Sequence, residues 1–308
     1  MNDEHDVSLA SAAAVTRAVV ALGLEAVPLT VDRTGAWRRT DGAALSASEA
    51  VGLLTDCDAA VPVFHGVHGE DGAAAGLLTM IGVPVVGSPV RAGALGIDKW
   101  VTKTIAESVG IPTARSVLVR AGHEAGVGLP LPTPFVVKPT TGGSSNGVSV
   151  VRAADDYPSA LALARSAGDD VLAERFVTGR EVDIAVFRDR SGALRCGAPL
   201  EIGLDDGDVF GRTEKYDGTA RFTVPAVLSD TQVTAITDAA RTLYEVLGCA
   251  GVARFDFFVT GAGVVLNEVN TTPGFTEQSQ VPRMFEAVGL PYVALVRELL
   301  DAALRPAV

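Results

Sequence analysis

Arg254-Phe255-Asp256 and, eleven residues on, Asn267-Glu268-Val269-Asn270 decide how this chain reads. Both segments alternate polar and apolar residues at the period of a strand, so Arg254 and Asp256 share one face of the first and Glu268 and Asn270 likewise share one face of the second. Gly261-Ala262-Gly263 lies between them as a hairpin tip. A three-residue loop there sets Asp256 opposite Glu268, and paired residues project to the same side. Like charges placed opposite one another are unfavourable unless a cation lies between them. Two carboxylates and an amide oxygen make a hard, all-oxygen set that suits Mg²⁺, which keeps waters and takes further ligands from phosphates. The plainer reading is a solvated polar face on an edge hairpin.

The flanking sequence fits a site for a charged substrate. Thr271-Thr272-Pro273-Gly274-Phe275-Thr276-Glu277-Gln278-Ser279 follows the hairpin, and its Pro-Gly turn puts backbone N–H groups and hydroxyls where an anionic intermediate could be held. Upstream, Phe135-Val136-Val137-Lys138 reads as a strand, Thr140 to Gly147 as a turn rich in glycine and serine, and Val148 to Val151 as the returning strand. A lysine at a strand end beside such a turn offers a cation, hydroxyls and open N–H groups to a triphosphate. Its spacing is not that of a Walker loop, and an ordinary hairpin turn has the same composition.

The rest of the chain alternates helices and strands, the α/β pattern. Leu9 to Leu22 has helical spacing, Glu25 to Val31 and the short apolar run Ala60 to Phe64 read as strands, and the latter leads into His65-Gly66-Val67-His68-Gly69-Glu70-Asp71-Gly72. Lys99 to Val109 reads as a helix closed by Gly110, Ala121 to Pro134 as a surface loop, and Ser229 with Gln232 as a capping box opening a helix that stops near Gly248. A last helix spans about Pro291 to Leu304. With 308 residues, 48% of them hydrophobic and 20% charged, the chain buries a large core, and it has no apolar run of membrane-spanning length. The opening Met1-Asn2-Asp3-Glu4-His5-Asp6 lacks the basic and apolar regions of a signal peptide, so a cytoplasmic protein is expected. A net charge of -12 argues against a nucleic-acid partner and requires that any bound polyphosphate meet locally placed lysines. Cys57, Cys196 and Cys249 are far apart and odd in number, as reduced thiols would be.

Taken in order, His65-Gly66, Gly69-Glu70-Asp71-Gly72, Val86-Gly87-Ser88, Asp98-Lys99 with Lys103, Val137-Lys138-Pro139, Gly143-Ser144-Ser145, Glu174, Gly179-Arg180-Glu181, Lys215-Tyr216, Arg254, Asp256 and Asn267 to Gly274 resemble the motifs of D-alanine–D-alanine ligases over nearly the whole chain. The resemblance implies an ATP-grasp architecture of three subdomains, 1–92, 93–180 and 181–308, with ATP between the central and C-terminal sheets. It implies ATP-holding roles for Lys99, Lys138 and the loop residue Lys215, an adenine hinge at Glu174 and Val177, and a ribose contact at Glu181. Asp256, Glu268 and Asn270 resemble ligands of Mg²⁺, two ions in number, for which Mn²⁺ can stand in. Arg254 and the Gly274 N–H resemble an oxyanion-stabilising pair. Glu4, Ser144 and Tyr216 resemble a hydrogen-bonded trio on the first amino acid, His65 a histidine near it, and Ser279 the hydroxyl on the second substrate's carboxylate. The implied activity joins two D-alanines through an acyl phosphate for peptidoglycan precursors. The partners expected are small amino acids and, as an assembly, a homodimer, with no membrane or nucleic acid.

The chain departs from the resemblance at three places. A first strand and Gly-Gly turn expected before Asn2 to Leu9 are absent, Gln280 stands where leucine is usual beside the second substrate, and Gly142 replaces a larger side chain. An amide at 280 is suited to a more polar amine. Two alternatives follow: a specialised D-amino-acid ligase or cyclising enzyme of antibiotic biosynthesis, and a non-catalytic ATP-binding relative.

Overall fold

The computed structural model describes residues 4–120, 129–168, 170–203 and 221–305. Three antiparallel sheets organise these residues. A small meander joins β1 (Leu29–Val31), β2 (Trp37–Arg39) and β3 (Ala44–Leu45). The second sheet is built from β4 (Ser116–Val119), β5 (Phe135–Pro139), β6 (Ser149–Val151) and β7 (Val171–Arg175), in the order β4-β7-β5-β6. The third contains β8 (Arg180–Arg188), β9 (Leu194–Cys196), β10 (Leu200–Gly203), β11 (Arg221–Thr223), β12 (Val252–Thr260) and β13 (Gly263–Asn270). Its order is β11-β10-β8-β12-β13, with β9 also on β8.

The third sheet carries the main core. Val182, Ile184 and Val186 of β8 and Phe255 and Phe257 of β12 pack with Ile236, Ala240, Leu243 and Leu247 of the helix Asp230–Leu247. That helix begins as its sequence predicts: Ser229 accepts from the Gln232 N–H, Gln232 accepts from the Ser229 N–H, and Gly248 closes the helix in the left-handed region. A second core seats the N-terminal helix His5–Ala21, through Val15 and Ala18, against Leu295, Val296 and Leu299 of the helix Tyr292–Ala303.

Two strand expectations in the first ninety residues need correction. Of Glu25 to Val31 only the last three residues pair, and they pair antiparallel with β2 across a turn in which Asp32 accepts from the Thr34 and Ala36 N–H groups. The aspartate turn at 32–35, with Gly35 in the left-handed region, is the signal the apolar count overlooked. Ala60 to Phe64 is half-buried and forms one parallel bridge, Ala60 with Val85. Its two bonds are Ala60 N–H to Pro84 O and Val86 N–H to Ala60 O, both 2.8 Å. The next rung would need an N–H from residue 62, which is proline, so the ladder stops.

The first ninety residues meet the third sheet's end backbone to backbone. A Cβ on Gly251, whose φ is +59°, would lie 2.7 Å from the Gly87 Cα, and Ser88 bonds the Ala250 carbonyl at 3.0 Å beside it. Among the described residues no helix is long and apolar enough to cross a membrane. Gly251→Ala is expected to destabilise the protein by about 2 kcal/mol or more, through strain and collision together. Gly261→Ala, with nothing within 4 Å of its added methyl, is expected to be neutral. Urea unfolding of the two variants checks the contrast.

Candidate functional site

Three carboxylates stand in line across the third sheet. Asp183 on β8 is the register partner of Asp256 on β12, which in turn faces Glu268 on β13. Asp183 is 0% and Asp256 2% exposed, so water does little to screen them. Cations take up that charge. The Arg254 guanidinium grips Asp256 with two bonds of 2.7 Å, and its Nε lies 3.6 Å from Asp183. Burial opposes the charge of Arg254, but Asp256, Asp183 and Glu268 outweigh it and hold the guanidinium above its ordinary pKa. Lys99 Nζ lies 3.6 Å from Glu268.

The register of the hairpin is reached by a route different from the one expected. The tip is a two-residue turn, Thr260 pairing with Gly263, and the pairs from Phe257–Leu266 outward run one residue out of step with Asp256–Glu268. A bulge at Asn267 makes up the difference, and so Asp256 still meets Glu268 and Arg254 still meets Asn270. Asn270 Nδ2 donates to Asp256 at 3.0 Å, while the bulged Asn267 presents its oxygen to Lys138 Nζ at 3.3 Å. Asp256, Glu268 and the Asn270 amide give two carboxylates and a neutral oxygen at facing positions, a donor set that fits a hard dication. Among the described residues no three His, Cys, Asp or Glu side chains gather into a cage.

The second sheet brings the lysines. Lys138, at the end of β5, and Lys103, on the helix Lys99–Ser108, share the buried carboxylate of Glu174 on β7 at 2.7 and 2.8 Å. Burial works to raise the Glu174 pKa, yet Lys103 and Lys138 outweigh it and keep the carboxylate ionised. Burial also works against charge on both lysines. It prevails at Lys103, whose pKa is lowered, whereas Glu174 and Glu268 lift that of Lys138. Lys99 Nζ donates to the Gly142 carbonyl at 2.7 Å, fixing the head of the turn that follows Lys138. In that turn Gly142, Ser144, Ser145 and Gly147 all have positive φ. At Gly147, with φ +73°, a side chain would be strained, and its Cβ would press on Ala167 at 3.0 Å. The turn brings Ser144 to Glu4, to which its hydroxyl donates. Val177 is half-buried between β7 and β8, and Glu181 is a buried residue on β8.

A third group closes one side. The buried His65 ring lies 2.8 Å from the Thr272 carbonyl through Nδ1 and 2.9 Å from Ser11 Oγ through Nε2. A carbonyl only accepts, so Nδ1 carries the proton and Nε2 accepts from Ser11, whose oxygen in turn takes the Phe275 N–H. Burial lowers the His65 pKa and keeps the ring neutral. Ser279 Oγ accepts from the Thr276 N–H at 3.0 Å, and a Cβ on Gly274 would lie 3.4 Å from that oxygen. Gln280 reaches Arg254 and Asp183. Lys215 and Tyr216 lie outside the described residues.

Residues 105–301 match the family described as D-ala D-ala ligase C-terminus. The chain is 35% identical to a D-alanine–D-alanine ligase of Mycolicibacterium vanbaalenii, with 98% of this chain and 94% of the relative covered. It is 37% identical to that of Corynebacterium urealyticum, covering 98% and 95%. The chain belongs to the D-alanine–D-alanine ligase family. Among solved structures, the VanG D-Ala:D-Ser ligase of Enterococcus faecalis superposes with a TM-score of 0.85 at 30% identity, over 98% of this chain and 96% of that one. The ligase of Bacillus anthracis complexed with ATP, 24% identical, shares the fold with a TM-score of 0.82 over 99% and 94%. The fold is ATP-grasp, and the chain is of a family of C–N bond-forming ligases.

In this ligase fold four residues join the site without having been singled out for roles: Asp183, Lys103, Asn267 and Glu70. Asp183 was two residues from Glu181 on one strand face, a period-2 signal within reach. Lys103 follows Lys99 by one helical turn. Asn267 joins because of the bulge, which strand alternation does not foretell. Glu70, half-buried, is pushed up to about 8 by burial and then by Glu4.

His65 gives a pH dependence. Its folded pKa is depressed, so below about pH 6.5 the unfolded chain takes up a proton that the folded site refuses, and stability falls with falling pH. Urea midpoints at pH 8 and pH 5.5 are expected to differ less in His65→Gln than in the parent.

Proposed function

We propose that this chain uses ATP to activate the carboxylate of one D-alanine as an acyl phosphate and passes it to the amine of a second, releasing ADP and phosphate and supplying D-alanyl-D-alanine to peptidoglycan precursors. The observation that carries the reading is that Lys99 and Lys138 both reach β13 beside the line of carboxylates, Lys99 at 3.6 Å from Glu268 and Lys138 at 3.3 Å from Asn267. A protein with net charge -12 gathers its cations at the place where a triphosphate would need them.

Each side chain then has a task. Lys99 and Lys138 bind the phosphates, Lys138 kept ionised by Glu174; Glu174 and Val177 border adenine and Glu181 takes the ribose. Asp256, Glu268 and Asn270 hold Mg²⁺, which when bound screens the phosphate charge during transfer. Glu4 and Ser144 seat the ammonium group of the first D-alanine, joined by Tyr216, while neutral His65 lines the same end. Arg254 and the Gly274 N–H receive the oxyanion that develops as the amine attacks the acyl carbon. Ser279 takes the carboxylate of the second D-alanine, and Lys215 covers the terminal phosphate. The same reading places the protein in the cytoplasm, with its ATP and amino-acid substrates.

Phosphate release measured with ATP, Mg²⁺ and a panel of D-amino acids tests the reading. D-alanine is expected to drive release, and its failure to do so overturns the proposal. Glu268→Gln is expected to lower kcat by about 100-fold, the scale of losing one preorganised charge contact, while raising the Mg²⁺ needed for half activity. With Tyr216 present, D-alanine is expected to outcompete D-lactate as acceptor, which competition between the two reads directly.

A further inference from the structure

The Gln280 side chain is committed at both ends. Its carbonyl oxygen accepts from Arg254 Nη1 at 2.7 Å, and its NH₂ donates to Asp183 at 2.8 Å. An amide meets both demands, an acceptor toward a cation and a donor toward a carboxylate; a leucine meets neither and a glutamate would set a second anion on Asp183. The reverse amide orientation would place donor on donor and acceptor on acceptor, so the assignment is fixed by the neighbours. The residues so joined are distant in sequence: Asp183 on β8, Arg254 on β12, and Gln280 at the first position of the helix Gln280–Glu286.

The guanidinium has little freedom left. Asp256 holds it by two bonds on one edge, Asp183 stands 3.6 Å from Nε, and Gln280 takes Nη1. Asp183 and Asp256 are like charges in one register pair, and the amide supplies the former with a neutral donor that adds no charge to the line. We infer that Gln280 is a positioning residue for Arg254, tying it to buried Asp183, and that the amine acceptor is chosen elsewhere. The inference rests on the ligase reading above for its catalytic consequence, though the tie itself does not.

The test compares the parent with Gln280→Leu, Gln280→Glu, Asp183→Asn and the pair Asp183→Asn/Gln280→Glu. Gln280→Leu is expected to lower kcat about 10- to 100-fold, less than outright loss of an oxyanion donor, with the KM for ATP within about twofold and the ranking of D-alanine, D-serine and D-lactate as acceptors unchanged. The pair reverses donor and acceptor across the contact: the carboxylate introduced at position 280 accepts from Arg254 with one oxygen and from the amide introduced at position 183 with the other. It is expected to recover at least about tenfold in kcat over Gln280→Glu alone. Gln280→Leu at parental kcat, an altered acceptor ranking, or a pair no better than Gln280→Glu alone would overturn the inference. Urea unfolding of the same proteins reads the tie without activity. Non-additive effects of Asp183→Asn and Gln280→Glu support it and additive effects remove it, even should the parent release no phosphate with D-alanine.

Discussion

Three carboxylates side by side across one sheet, two of them almost wholly buried, are the constraint around which the rest of this molecule is arranged. No such row is stable alone, because neighbouring strands sit about 5 Å apart and the interior screens poorly. Arg254 answers it from the same strand, Gln280 from the following helix, and Lys99 from the helix packed over β13. At the second sheet the motif is reversed, with the Glu174 carboxylate between Lys138 of β5 and Lys103 of that same helix. The two clusters touch through Lys138 and Asn267. The anions of the third sheet thus meet cations carried by β5 of the second sheet and by the helix Lys99–Ser108.

Buried charge of this kind adds little to stability, since desolvation costs offset much of the attraction. What it supplies is definition: each group has its orientation fixed by several others. The apolar stability comes from behind the sheet, where Phe255, Phe257, Leu243 and Leu247 pack away from the carboxylates. One strand serves both purposes by alternation, with Phe255 and Phe257 inward and Arg254 and Asp256 toward the site.

How much of this was legible in the sequence depended on whether the signal was local. The capping box at Ser229, the glycine stop at Gly248 and the strand of Lys138 follow from residue types at short spacing, and the structure has them; the facing of Asp256 and Glu268 is also there, but through a two-residue turn and a bulge in place of the three-residue tip. The roles of Lys103 and Asn267 and the far end of Gln280 depended on contacts between distant segments, which pattern alone does not fix. The N-terminal ninety residues were read least well. There an apolar run suggested a strand at Ala60 to Phe64, while the one decisive fact was the missing N–H of Pro62.

The bulge at Asn267 ties the length of the hairpin tip to the chemistry some distance away. With a two-residue turn and no bulge, Asp256 would face Asn267, and Glu268 and Asn270 would point to the opposite side of the sheet. With a turn one residue longer, the same facing could be kept with no bulge at all. Gly261 and Ala262 lie in the open, where insertions and deletions are ordinarily harmless. In this hairpin a one-residue change can be absorbed at the tip, whereas the bulge at residue 267 is what keeps Glu268 and Asn270 on the side of Asp256.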